Sequence, residues 1–326
     1  MPLGGTILQG DGLVNHSFTG LSFSHATWRA PSSVGGYVPS QSLVNRGIEP
    51  VGAVRFSRAH NLVIEACDFT NIGAAYALSI GDASKDVRVN ASSFIDLSGG
   101  AVKFGNVNDT RAISTNPAYF DTGYLLQDNV MRAVALEFRG AAAVFAGYVA
   151  STEIVHNTIS DTGYTGISLG WGWGSHVTGP QTFAADNVIA YNRLTGIMSA
   201  LNDGGCTYTL GPQPHSRVEG NYCSADHAPV VGCFYHDNGS RYFTTKNNVA
   251  QSSPAPCVYL QGCCNSPAYD IAVSDLWCRS TGAVRNGCAV QNCTIDPKTL
   301  FLVPADEAWP ASAQAVVDAA GARQHL

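Results

Sequence analysis

The sequence predicts an all-β fold: a right-handed parallel β-helix, a pectate-lyase-like solenoid with a short C-terminal helix. One observation is a recurring phrase of aliphatic residue, two residues, Asn, one residue and an apolar residue. It occurs as Leu126–Asn129–Met131, Ile154–Asn157–Ile159, Ile189–Asn192–Leu194 and Val218–Asn221–Cys223, with a weaker copy at Thr245–Asn248–Ala250. Degenerate copies stand at Ile64–Cys67–Phe69 and Val89–Ser92–Phe94. The Asn positions lie 28, 35, 29 and 27 residues apart, within the 20–50-residue range of solenoid and propeller repeats. The second observation is that each repeat is short-strand material between Gly-rich turns with no helical period. The third is composition: 34 Gly and only 13% charged residues suit many tight turns and exclude a coiled coil. Asn tolerates a left-handed turn and hydrogen-bonds neighbouring backbone, so one Asn per coil can stack into a ladder.

Taken in order, residues 1–60 read as opening coils. Leu21 to Trp28 alternates like a strand, and the Pro31-to-Pro50 stretch, rich in Ser, Gly and Pro, reads as an excursion. Residues 61–105 give two coils, ending in Ala77–Gly81 and Ala101–Gly105, and 106–123 a loop. The best-formed coils occupy 124–265, and 266–303 reads as Cys-rich and irregular. The β-helix is expected over 1–303. A cap segment follows over 304–326, where Trp309-Pro310 opens an Ala/Val run ending at Ala320-Gly321. Pro at the start and Gly past the end mark a helix, expected to cover the open end of the solenoid.

The chain has 326 residues, 45% of them hydrophobic, and a net charge of −6 without a basic run. A nucleic-acid partner is therefore not expected. No apolar stretch approaches the ~20 residues of a membrane span. Nine of ten cysteines fall between Cys206 and Cys293, and buried thiols and disulfides both remain open. Five N-x-Ser/Thr sequons, at Asn15, Asn90, Asn108, Asn238 and Asn292, suit an extracellular or secretory route, although no signal peptide is visible after Met1. A monomer is expected. No cofactor and no catalytic metal are predicted, because no His or carboxylate spacing of a metal site links His176, His215 and His236.

Between Glu137 and Tyr242 polar and aromatic residues replace the Val, Ile and Leu that would fill a plain coil. The candidates for substrate binding are Glu137, Arg139, Tyr164, Trp171, Trp173, Tyr208, Tyr235, His236 and Arg241. Sugars present C–H faces to aromatic rings and hydroxyls to polar groups, so a carbohydrate is the expected partner. Glycoside cleavage needs two carboxyl groups, and Asp203 and Asp237 are the pair. Both also fit ordinary turn chemistry, as Asp before Gly-Gly and as Asp-Asn-Gly. The two Trp residues also fit a structural clasp. Matching Thr165-Gly-Ile167 to Thr195-Gly-Ile197 puts Asp203 at the strand end that Asp237 occupies. Matching Gly205-Cys-Thr-Tyr208 to Gly232-Cys-Phe-Tyr235 puts the two acids at opposite strand ends, ~20 Å apart unless a loop bends.

At these residues the chain resembles a known group. Tyr164-Thr-Gly-Ile-Ser-Leu-Gly-Trp-Gly-Trp-Gly, Asn202-Asp-Gly-Gly-Cys-Thr-Tyr-Thr-Leu-Gly-Pro-Gln-Pro and Tyr235-His-Asp-Asn-Gly-Ser are similar to motifs of the parallel β-helix proteins of glycoside hydrolase family 141 and their relatives. His25-Ala-Thr-Trp28, Phe145-Ala-Gly-Tyr148 and the segment from Trp309 also match. The resemblance implies a glycosidase acting on complex polysaccharides or oligosaccharides, of fucoside or xylan type, with Asp203 and Asp237 in its acidic motifs. The chain departs from the group at Cys206-Thr207, at His215 and at Asn238, where the group carries Glu. A polysaccharide lyase on the same scaffold and a non-catalytic carbohydrate-binding surface protein are the rival readings. Poverty in Lys counts against the lyase.

Overall fold

The computed structural model describes residues 5–28, 41–44, 49–50, 52–109, 111–114, 116–174, 182–225, 231–251, 255–262, 266–287 and 292–323. His176 lies outside them. The chain winds as a right-handed parallel β-helix, the hand that parallel crossovers take. One sheet stacks ten parallel strands: Leu8–Asp11, Gly52–Ser57, Tyr76–Gly81, Gly100–Phe104, Val144–Ala146, Ile167–Leu169, Thr207–Thr209, Phe234–His236, Val258–Leu260 and Val284–Asn286. The remaining strands form the other two faces of the coil, all in parallel register.

The repeated phrase maps onto those two faces. Its aliphatic residues pair in one column, Ile64, Val89, Leu126, Ile154, Ile189, Val218 and Thr245. Its apolar residues pair in another, Phe69, Phe94, Met131, Ile159, Leu194, Cys223 and Ala250. Both columns point inward and are fully buried, and all but Thr245 belong to one continuous apolar core. Between them runs the Asn ladder. Each Asn side-chain oxygen accepts from the backbone N–H and the side-chain amide of the Asn one coil earlier, at 2.9–3.1 Å, through Asn129, Asn157, Asn192, Asn221 and Asn248. Ser92 and Cys67 extend the column upstream.

The left-handed backbone belongs to the residue before each ladder position. Ala66, Ala91, Asp128, His156, Tyr191, Gly220 and Asn247 all have φ between +50° and +65°. The Asn itself is selected for its amide, which bridges coils and satisfies the carbonyls exposed by the bend. Asn187 sits at a different corner, in a second polar column that joins Thr152, Asn187 and Ser216. Ser84 and Asp121 occupy the same kind of corner upstream.

Two expectations need correction. The described residues of 266–303 include regular coil strands: Ala272–Arg279 and Leu300–Leu302 continue the register. The helix forms at Ala311–Ala319 after Pro310, but it packs against the flank of the solenoid. Val316 and Ala313 meet Val249 and Trp277. The following residues run back across earlier coils, where Arg193 bonds to Ala320, Ala322 to Thr158, and Arg323 to Asp128. The lateral face is apolar at Val249 and Trp277, and burying it wins over covering the end.

The cysteines divide between both readings. Cys206 and Cys223 form a disulfide inside the coil, and Cys293 is also disulfide-bonded. Cys67, Cys233, Cys257 and Cys278 are buried thiols. Cys263, Cys264 and Cys288 lie outside the described residues. Among the described residues, no helix is long and apolar enough to cross a membrane.

Candidate functional site

The outward face of the ten-stranded sheet carries the site. Side chains alternate across a strand. In Phe234–His236 the outer residues enter the core, and Tyr235 points out. The outward column runs, in register, Gln9, Arg55, Ser79, Lys103, Phe145, Ser168, Tyr208, Tyr235, Tyr259 and Arg285. The second alignment above is therefore the one the chain adopts, since Tyr208 pairs with Tyr235. Thr195 instead belongs to another face, paired with Ser160 and Ser224.

Asp203 precedes its strand and Asp237 follows its own, yet their carboxyl groups converge. Tyr235 lies between them: its hydroxyl donates to Asp237 Oδ1 at 2.9 Å and lies 3.5 Å from Asp203 Oδ1. Because one oxygen touches both, those two carboxylate oxygens are at most about 6.4 Å apart, the two distances laid end to end. The bend is local to Asn202-Asp-Gly-Gly. Asp203 adopts φ +62°, and a Cβ at Gly205 would stand 2.2 Å from the carbonyl oxygen of Gly232. Only Gly lets the turn descend so close onto the next coil. Asp237 opens a turn too, its carbonyl accepting from Ser240 N–H at 2.9 Å.

The two acids differ in surroundings. Asp237 is 5% exposed, and its other carboxylate oxygen accepts from the Tyr208 hydroxyl. Two phenols thus solvate it in place of water. Asp203 sits on an exposed turn whose carbonyl accepts from Tyr164 at 2.8 Å. Its carboxyl faces the tyrosine wall. Burial there, and next the Asp237 charge, raise its pKa above the ordinary 3.8, partly offset by the Tyr235 hydrogen bond. Burial, the Asp237 charge and, at Tyr235, the Asp203 charge also raise Tyr208 and Tyr235, so both phenols stay protonated and act as donors.

In front of this cluster lies a cleft of about 560 Å³, lined by Gln41, Val44, Gly140, Tyr164, Trp171, Trp173, Leu201, Asn202 and Asp203. Trp171 and Trp173 contact each other with ring centroids 4.9 Å apart, and Trp173 is 37% exposed. None of the described residues lining the cleft is Lys, Arg or His. Asp237 is not at its surface but behind Tyr208 and Tyr235.

The cleft thus gathers Asp203, Tyr164, Trp171 and Trp173, with Tyr208 and Tyr235 immediately behind. Other predicted residues lie elsewhere. His236 points into the solenoid, hydrogen-bonded to Thr209 at 2.8 Å and Thr245 at 2.7 Å. Burial pushes its pKa down to about 3, so it is a neutral core residue and not a substrate contact. Arg241 is buried with its guanidinium 3.7 Å from the centre of the Tyr269 ring. Glu137 and Arg139 are exposed on a loop of which only Gly140 lines the cleft.

Sequence reasoning missed Gln41, which donates to the Tyr208 hydroxyl at 3.0 Å, and Gln261, which donates to Tyr235 at 3.3 Å. Tyr259, whose ring centroid is 5.1 Å from Tyr235, was also missed. A repeated x-Tyr-x in Thr207–Thr209, Phe234–His236 and Val258–Leu260 is a signal for Tyr259. Gln41 had none, being in an excursion without periodicity. Among the described residues no cluster of three or more His, Cys, Asp or Glu is arranged to hold a metal.

No protein-family profile matches the chain, and no curated protein does. Solved structures share its fold. One described as a glycoside hydrolase superposes with a TM-score of 0.67 at 21% identity, over 95% of this chain and 50% of that one. A second, a complex of XylC with xylose, gives 0.52 at 12% identity, over 81% of this chain and 42% of that one. The chain thus spans about half the length of these structures. At such identities the likeness defines a class of fold, the parallel β-helix.

Proposed function

We propose that the protein is a glycoside hydrolase acting on an uncharged sugar residue of a complex polysaccharide or oligosaccharide, of fucoside or xylan type. The observation that carries this is the convergence of Asp203 and Asp237 on one tyrosine hydroxyl behind an aromatic cleft. Asp203, whose pKa is raised, is the general acid that protonates the glycosidic oxygen. Asp237 is the partner carboxyl group, hydrogen-bonded by Tyr208 and Tyr235 behind the cleft wall, and it acts on the anomeric centre from there. Retaining enzymes hold their carboxyl groups ~5–5.5 Å apart and inverting ones ~6.5–9.5 Å. The upper bound of about 6.4 Å between the facing oxygens admits either course, and the anomer of the first product decides between them. Trp171 and Trp173 offer stacking faces. The absence of a cation among the described lining residues favours a neutral sugar and weighs against a lyase, which needs to bind a uronate.

Fold similarity to a structure described as a glycoside hydrolase, and to one holding xylose, supports the reading. The test is release of reducing sugar and of nitrophenol from neutral aryl glycosides, fucosides and xylosides included. Asp203→Asn and Asp237→Asn should each lower the rate by roughly 10²–10⁴-fold without changing the circular dichroism spectrum. A non-catalytic carbohydrate-binding protein is the second reading, favoured by the near-complete burial of Asp237. Sugar binding without turnover, unchanged in Asp237→Asn, would establish it instead.

A further inference from the structure

We infer that Cys257 and Cys278 become joined by a second disulfide inside the solenoid, equivalent in position to Cys206–Cys223. The inference is independent of the hydrolase reading. It comes from two inward columns that face each other across the coil. One column stands at the head of the strands of the ten-stranded sheet. The backbone N–H groups of Ile167, Thr207, Phe234 and Val258 donate in turn to the carbonyls of Cys206, Cys233, Cys257 and Ala283. Those four acceptors are therefore successive rungs, each just before its strand. The other column is the apolar one of the repeated phrase, in which Leu194, Cys223, Ala250, Cys278 and Leu302 pair in register.

The two columns advance together, one rung per coil. Cys206 faces Cys223, and the two are bonded with their Cα atoms 6.1 Å apart. One coil on, Cys233 comes with Ala250, which has no sulfur to offer. Two coils on, Cys257 comes with Cys278. The second pair thus repeats the relation of the first. Contacts agree with the register. The Cys257 sulfur lies 3.7 Å from the carbonyl oxygen of Ala250, the rung neighbour of Cys278. Burial raises the Cys257 pKa well above the ordinary thiol range, and the adjoining Cys278 sulfur, through a hydrogen bond and its charge, raises it further. Both side chains are fully buried, and both are thiols in this structure.

Joining them removes two protons and two electrons. The acceptor is a disulfide donor of the glutathione or dithiol-oxidoreductase class. One thiolate attacks a donor sulfur and expels the other as a thiol; the second thiolate then displaces the donor from the mixed disulfide. The donor leaves as two thiols. The finished coil seals both sulfurs and holds Cys257 protonated, so the exchange belongs to folding, before this coil closes. It also belongs to an oxidising compartment. The two bonds would fasten the coils on either side of the acid pair. Cys206 follows the Asp203 turn, and Cys257 begins the strand that carries Tyr259, whose ring centroid is 5.1 Å from that of Tyr235.

The experiment uses the full chain secreted into an oxidising compartment. Remaining thiols are alkylated in denaturant, and the chain is cut with trypsin and chymotrypsin without reduction. Cleavage after Lys246, Tyr259, Trp277 and Arg279 leaves Cys257 and Cys278 on separate peptides that hold no other cysteine. The expected result is one species in which these two peptides are linked and which reduction splits. Finding both cysteines alkylated, or Cys257 linked to Cys233 or to any other cysteine, would overturn the inference. Thiol titration in denaturant gives a second reading of opposite sign. Cys278→Ala should show one thiol more than the parent, because Cys257 is released. One thiol fewer would mean that the parent carries the pair reduced. If that variant does not fold, the peptide map of the parent chain decides.

Discussion

Replacing Asp121 by Asn should make the solenoid more stable at neutral and alkaline pH. Asp121 is 1% exposed at an inside corner. Its Oδ1 accepts from Ser84 N–H at 2.9 Å and from the Tyr124 hydroxyl at 2.7 Å, while Oδ2 is buried without a hydrogen-bond partner. Burial raises its pKa from 3.8 to about 7, against the lowering effect of the two hydrogen bonds. The unfolded chain ionises this group near pH 4, and the folded chain resists ionisation until about pH 7. Its contribution to stability is therefore fully present below the unfolded pKa and is lost as pH rises through the folded one. The gap is roughly three pKa units at ~1.4 kcal/mol each, or about 4 kcal/mol. An amide keeps the same acceptor geometry and carries no charge, as Asn187 does toward Thr152 N–H at 3.0 Å.

The assay is guanidinium unfolding of parent and Asp121→Asn between pH 4 and pH 8.5. The difference in stability should be near zero at pH 4 and reach about 4 kcal/mol in favour of the variant at pH 8. Comparing the two chains at each pH cancels His236. Its depressed pKa acts in the opposite sense, with stability present above about pH 6.5 and lost as pH falls toward 3. A difference that does not change with pH, or a variant less stable at pH 8, would refute the reasoning.

Asn157→Ala should destabilise the middle coils by roughly 3–5 kcal/mol, because it strands the buried Asn129 N–H and Leu126 carbonyl of the preceding coil and the Val155 carbonyl of its own. Thermal unfolding would check it, and a loss below about 1 kcal/mol would mean that water replaces the ladder. Removing the Cys206–Cys223 disulfide by a double Ala substitution should cost about 3 kcal/mol, the value for closing a loop of this length, 17 residues in sequence separation. Both sulfurs are fully buried, so mild reductant should leave the bond intact in the folded protein, as thiol titration would register. Asp237→Asn should lower the Asp203 pKa, since the Asp237 charge is the second cause of its elevation after burial. Carbon-13 NMR of the aspartate carboxyls would follow the shift, and no movement would mean that the groups do not communicate.

How much of this was legible in the sequence depends on whether the determinant repeats. The Asn ladder repeats with every coil, and so do the aliphatic and apolar columns flanking it. Their spacing therefore fixed the fold class and much of the core. The inward or outward sense of a residue follows from parity within a strand. That sense was misread for His236, which looked like a site residue by its neighbours Tyr235 and Asp237 but sits on the opposite side of the pleat. Gln41 has no counterpart in other coils, so periodicity carries no information about it.

The acid pair lies between these cases. Coil alignment alone puts Asp203 and Asp237 at opposite ends of adjacent strands, too far apart to cooperate. They meet because the Asp203 turn folds down over Gly205 and because a tyrosine at the intervening outward position spans the gap. Tyr235 therefore does two things at once. It is the rung on which Tyr208 and Tyr259 pack, and it is the hydroxyl that joins the two carboxyls. Removing only that hydroxyl would leave the packing and break the bridge, which makes the oxygen of Tyr235 the point where the regular fold becomes a site.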